Sequence, residues 1–391
     1  MPTIYLADGI TGTSVSIARQ ALEQQWHDVA AQFAPGPFPV FCDRLEIVER
    51  FDMLLAGTAV QKASIQGEDL QLLAIASRHR DGDDQFGRTW LMKELAAKAL
   101  RDGHVPVMVE RTEVLFGQRD WPKTGRDLAD FIVAAVRNTL TRFRSELHLP
   151  DALCPLCETL RRVLAVPPGQ PLPAQLPNEV REAEGDADGV LAVALRHDLL
   201  TMLEAARGKR PAGDAATPRL VLLVDDVHKM GKDAVQTLRA LCGPLGLRAA
   251  RRDVRVALVY STEGVPGQTE TIKALTDWFG ESSWIQQVEL DGFRSPYEDR
   301  EAYEYFLLNW AENGVRMPLM VNPRDPARAE GMFKSMKRQL EGVPSRLRVT
   351  GVQIVEMFMQ DIPASDGRPV LTAADDDAAL LRAQNAIRGV N

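Results

Sequence analysis

The residues Arg219-Leu220-Val221-Leu222-Leu223-Val224-Asp225-Asp226-Val227-His228 constrain the fold more than any other stretch of the chain. A short, bulky apolar run without polar alternation, entered from the Gly/Pro-rich residues 208–218, reads as a central parallel strand buried on both faces. Its two acids then emerge at the carboxyl end of a sheet, where open α/β folds hold their ligands. Two readings of the acids stand side by side. In one, Asp225 holds Mg2+ through water and Asp226 orients an attacking water. In the other, the strand ends in a turn and Asp225 or Asp226 caps the next helix.

A second stretch bears on that choice. Leu70 to Ser77 predicts an apolar strand, and it runs into Gly82-Asp83-Asp84-Gln85-Phe86-Gly87-Arg88-Thr89. This is the spacing G-x-x-x-x-G-K-[ST] with Arg88 at the lysine position. Such a loop wraps backbone N–H groups around a phosphate at a helix N-terminus, and its hydroxyl ligates Mg2+. Gly82, Gly87 and Thr89 are placed for those roles, and the amphipathic helix Trp90 to Leu100 follows. Arg88 keeps the charge in a planar, longer form. Asp81, Asp83 and Asp84 set negative charge beside any phosphate held there. The alternative is a polar hairpin between strand and helix. Val105 to Glu110 supplies the next strand.

The remaining pattern divides the chain. Thr3 to Ala7 reads as a strand and Ser14 to Trp26 as a helix, a plain βα unit over residues 1–36 that ends in the Pro-rich linker Ala34 to Pro39. From residue 38 the α/β pattern holds to about residue 292. It begins with a helix carrying Ile47, Phe51, Leu54 and Leu55 on one face. A helical insertion occupies 120–218, with apolar faces from Leu128 to Phe143 and from Val190 to Ala206 separated by a Pro-rich, then acidic loop at 166–189. Helix Ala234 to Leu241, strand Val254 to Tyr260, helix Thr271 to Phe279 and a strand near Trp284 to Leu290 complete the core. Ser261-Thr262 closes a strand end, as a γ-phosphate contact or as part of a Ser-Thr-Glu-Gly turn. Residues 293–362 read as a helical lid containing Gly342-Val343-Pro344, with Arg346 and Arg348 just beyond. The tail 363–391 is acidic and Ala-rich.

At 391 residues the chain has room for two or three domains of ~100–200 residues each. No apolar run approaches the ~18 residues of a membrane span, and Met1 to Leu6 lacks the regions of a signal peptide, so a cytoplasmic location is expected. Four cysteines (Cys42, Cys154, Cys157, Cys242) are too few for a disulfide framework, and Cys154-Pro155-Leu156-Cys157 has no second ligand pair near it. A net charge of −8 argues against a general polyanion binder. The local cluster Arg248, Arg251, Arg252 and Arg255 keeps nucleic acid open as a partner.

Taken in order, Phe41-x-Asp43-Arg44, strand, altered phosphate loop, strand, Asp225-Asp226, strand with Ser261-Thr262 and a helical lid with Gly342-x-Pro344 resemble the AAA+/STAND group of P-loop ATPases over residues 38–362. The resemblance implies an α/β P-loop NTPase core with a mostly parallel sheet, followed by the lid. It implies ATP or ADP with Mg2+, a degenerate Walker A around Arg88, a Walker B at Asp225-Asp226 and a Pro344 ring near adenine. Thr89 and Asp225 become the metal-side residues, and Asp226 and Arg88 the catalytic candidates. Gly82, Gly87, Arg88, Thr89, Ser261, Thr262, Pro344, Arg346 and Arg348 become nucleotide contacts. The expected function is a nucleotide-dependent signalling or assembly switch with weak or absent hydrolysis. Alternatives are a pseudo-ATPase scaffold and an AAA+ protein acting on nucleic acid. A protein partner engaged through residues 1–36, and an oligomer, complete the expectation.

Overall fold

The computed structural model describes residues 45–57, 70–77, 87–110, 113–114, 117–118, 120–142, 157–167, 169–207, 217–250, 252–263, 267–280, 282 and 284–290. The expected βα unit at 1–36, the lid at 293–362 and the tail at 363–391 lie outside the described residues. In chain order the elements are α1 (Leu45–Ala56), β1 (Leu72–Ser77), α2 (Arg88–Arg101), β2 (Val105–Val109), β3 (Glu113–Val114), β4 (Gly117–Gln118), α3 (Gly125–Arg142), α4 (Glu158–Leu164), α5 (Asn178–Glu182), α6 (Ala187–Arg207), β5 (Leu220–Val224), α7 (Lys232–Cys242), β6 (Val254–Ser261), α8 (Thr269–Gly280) and β7 (Ile285–Leu290).

Five strands form one all-parallel sheet in the order β2-β5-β6-β1-β7, and β3 and β4 form a small antiparallel pair. Every residue of β1, β2, β5 and β6 is buried, as strands covered on both faces must be. The covering follows from connection handedness. The step from β1 to β2 runs one way along the sheet, and the steps β2 to β5, β5 to β6 and β6 to β7 run the other way. Right-handed crossovers therefore place α2 on one face and the helices of the return steps on the opposite one. Accordingly α1 packs on α2, β1 and β6, while α3, α6, α7 and α8 pack on one another. Helix α2 presents Leu91, Met92, Leu95 and Ala99, and α7 presents Ala234, Val235, Leu238 and Leu241, each at helical spacing on a buried face. The helices that follow β1 and β6 lie on opposite faces of the sheet, an arrangement that opens a crevice at the carboxyl ends of the two strands.

Four local features differ from the sequence reading. Helix α2 begins at Arg88, two residues before the expected Trp90, because Gly87 at φ +77° turns the chain straight into the helix. The stretch read as a loop at 166–189 contains α5, anchored by buried Val180 and preceded by Pro177 in an extended conformation, and α6 already starts at Ala187. Arg255 is not a surface cation. It is buried on β6, and its Nε donates to Leu54 O at 2.6 Å, tying β6 to the last turn of α1. Arg248 stacks over Trp284 at 4.7 Å, so two of the four arginines of the basic cluster pack within the fold, while Arg252 is exposed.

Cys157 and Cys242 are buried free thiols, and burial pushes the Cys157 thiol up to about 12 and Cys242 higher still. Neither is a reactive thiolate. Among the described residues no helix is long and apolar enough to cross a membrane.

Candidate functional site

The crevice is built from the ends of β1 and β5 and the start of α2. Ser77 closes β1, and Gly87 then takes the left-handed conformation that a side chain resists. Leu91 N–H donates to Gly87 O at 2.8 Å, which opens the helical ladder. The first-turn amides of α2 have no partner within the helix and face the crevice end with the positive pole of the helix dipole. From this turn Thr89 Oγ1 donates to Asp225 Oδ2 at 2.6 Å. Arg88 bridges two strands: its Nε donates to Asp226 Oδ1 at 2.9 Å and its Nη1 to Ser77 Oγ at 2.9 Å. Residues 136 and 138 positions apart in sequence thus share one site.

The two acids have opposite surroundings. Asp225 is 2% exposed, and its N–H continues the ladder by donating to Val109 O at 2.9 Å. Its Oδ1 is buried and without a hydrogen-bond partner. Burial and the neighbouring Asp226 charge push its carboxyl up to about 7, against the opposing pull of Thr89 and Arg88. Burial also acts on Asp226, but Arg88 and Lys229 outweigh it and hold that carboxyl below the ordinary range.

Asp226 occupies the left-handed region at φ 45°, uncommon for a residue with a side chain. It stands at the cap of the short 3-10 turn Val227–Lys229, yet its side chain makes no cap bond. Instead the carboxylate accepts from Arg88 on one oxygen and from Lys229 Nζ on the other. Lys229 Nζ also lies 5.8 Å from the centre of the Trp121 ring. The Trp121 segment is held by a close backbone approach: Gly231 N–H donates to Pro122 O at 2.8 Å, and a Cβ on Gly231 would lie 2.4 Å from Lys123 O.

A hydroxyl and a carboxylate with one unsatisfied buried oxygen form a hard-oxygen pair of the type Mg2+ takes, with its other positions left to waters and phosphate. Thr89 and Asp225 fit that ion. Ser261 and Thr262 serve the strand ends. Ser261 Oγ donates to Glu263 O at 2.8 Å within its own turn, and Thr262 N–H and Oγ1 reach Ser77 O at 2.8 and 3.3 Å. Gly82, Pro344, Arg346 and Arg348 lie outside the described residues. Two residues of the site escaped the sequence reading, Ser77 and Lys229. Their only signals were the last polar position of an apolar strand and a lysine three residues after Asp226.

No family model matches the sequence, and no curated protein matches it. Among solved structures the chain is similar to the Walker-type ATPase PABY2304 of Pyrococcus abyssi, with 13% sequence identity and a TM-score of 0.46, over 92% of this chain and 77% of that one.

Proposed function

We propose that this chain is a P-loop protein of AAA+/STAND type that binds ATP or ADP with Mg2+ and acts as a signalling or assembly switch with weak or absent hydrolysis. The observation that carries the reading is the 2.6 Å bond between Thr89 and Asp225. It joins a hydroxyl at the start of a helix that follows a Gly-rich loop to an acid at the end of a buried parallel strand. Both residues then face Mg2+, whose charge favours ionised Asp225 over the protonated form that burial favours. The first-turn amides of α2 and the Arg88 guanidinium supply the donors for phosphate oxygens.

On this reading Asp226 is the residue that orients the attacking water, which requires a free carboxylate oxygen. Asp226 has both oxygens engaged by cations, and Arg88 is turned onto that acid and Ser77. This supports slow turnover, and it equally favours a pseudo-ATPase scaffold in which the ion pair is permanent. Residues 1–36 serve on this reading as the surface for a protein partner.

Calorimetric titration with ATP and ADP, with and without Mg2+, separates switch from scaffold. The switch requires Mg2+-dependent binding that Asp225→Asn weakens and Asp226→Asn spares; no binding by a folded wild type leaves the scaffold. Turnover at an ordinary ~1–100 s⁻¹, the range of kinases, would overturn the slow-hydrolysis reading. Arg88→Lys is expected to raise affinity or turnover.

A further inference from the structure

We infer that Lys229 is a positioning residue for the nucleotide site: it holds Asp226 so that Arg88 is free to leave that acid for an anion. The inference rests on the nucleotide-binding reading above and adds to it a residue from outside both motifs. Asp226 is 7% exposed and divides its oxygens between two cations from different elements, Arg88 on α2 and Lys229 on the turn after β5. Of the two, only Arg88 belongs to the turn that follows the Gly-rich loop.

The two cations differ in what they can release. Arg88 lies 11% exposed at the open start of α2, with its fork shared between Asp226 and Ser77, a neutral hydroxyl that water or another acceptor replaces easily. Lys229 is fixed to the acid through its own chain. Its N–H donates to Asp226 O at 2.9 Å, so backbone and side chain both return to one residue. The ammonium also lies over the Trp121 ring at 5.8 Å, and the Gly231 contact holds the Trp121 segment in place.

A carboxylate left behind by Arg88 would be buried beside Asp225, a second carboxyl. Removing one partner of a buried pair is costly because it leaves an uncompensated charge. Lys229 keeps that charge paired and so lowers the cost of turning Arg88 toward phosphate. Without Lys229, Asp226 and phosphate compete for Arg88, and Asp226 is the covalently tethered competitor.

Titration calorimetry with Mg-ATP on the full chain tests this. Lys229→Met is expected to weaken binding by about tenfold, the effect of one charge-assisted bond, and Lys229→Arg to retain most of the affinity. Placing Lys229→Met in an Asp226→Asn background is expected to abolish the loss, since the competing carboxylate is then gone. The lysine side chain is 36% exposed, and thermal unfolding verifies that each variant is folded. Unchanged affinity in Lys229→Met overturns the inference. So does a loss that persists undiminished in the Asp226→Asn background, which would make Lys229 a direct ligand contact. Failure of the wild-type chain to bind Mg-ATP overturns the nucleotide-binding reading itself and this role with it, an outcome visible before any variant is compared.

Discussion

Replacing Arg88 by Ala tests whether the ion pair at the centre of the site also holds the fold together. The side chain donates one bond to a carboxylate and one to a neutral hydroxyl, at 2.9 Å each. The side chains of Arg88 and Asp226 are 11% and 9% exposed, far below the exposure at which solvent screening dominates. Removing one member of a buried pair costs about 3–5 kcal/mol when the remaining charge is left bare. Here Lys229 stays on the other oxygen, so the expected loss is nearer the ~1.5–3 kcal/mol of a single hydrogen bond to a charged group. With a urea slope near ~3 kcal/mol/M the unfolding midpoint should fall by roughly 0.5–1 M at unchanged slope. Asp226→Asn and the double variant complete a cycle, and residues in one network should couple by ~0.5–3 kcal/mol. Midpoints that are additive to within about 0.5 kcal/mol, or an Arg88→Ala protein as stable as wild type, would refute the geometry.

The two acids predict opposite pH behaviour. Asp225, raised by burial and by Asp226 to about 7 in the fold, binds more protons there than in the unfolded chain, where its pKa is ~3.9. Its contribution therefore makes stability fall as pH rises from about 4 to 7, and Asp225→Asn should flatten that slope in urea titrations at successive pH values; an unchanged slope would contradict the burial argument. Asp226, held low mainly by Arg88 and Lys229, contributes stability at neutral pH that disappears only as pH drops below ~3.9 through its folded value, so Asp226→Asn should erase part of the acid-limb loss. Gly87→Ala meets no neighbouring atom but must adopt φ +77°, and should cost about 1–2 kcal/mol by chemical unfolding; a neutral result would mean that the left-handed turn is not required. Leu222→Ala, at a fully buried site in β5, should cost ~2–5 kcal/mol by the same measurement, and a smaller loss would mean that the strand is not central.

What the sequence made legible follows the range of the physical signal. Leu220 to Val224 was readable because a strand covered on both faces needs an unbroken apolar run, and the five residues are all fully buried. The amphipathic faces of α2, α3, α6 and α7 were readable for the same local reason. Helix α5 was not. Its proline-rich approach suppresses the periodic signal, and the anchoring contact is made by the single residue Val180. Arg255 misled because charge in a string of arginines reads as surface, whereas its burial is decided by the end of α1, two hundred residues earlier in the chain. Within the site, Arg88, Thr89, Asp225 and Asp226 were legible from spacing and strand ends. Lys229 was not, since what brings it onto Asp226 is the left-handed backbone of Asp226 itself.

The strand order also sets a length. Because β6 lies between β1 and β5, the backbones that carry Ser77 and the two acids stand two strand spacings apart, roughly 9–10 Å. Any side chain that links the two ends must bridge across the end of an intervening strand. A lysine at position 88 would bring one nitrogen to that gap and would have to choose a bank. The guanidinium brings several donors in a rigid plane, and here it grips Ser77 on one bank and Asp226 on the other at the same moment. The arginine that departs from the phosphate-loop pattern is thus matched to the width of the sheet, and a chain that exchanges it for lysine loosens the tie between β1 and β5 as it restores the pattern.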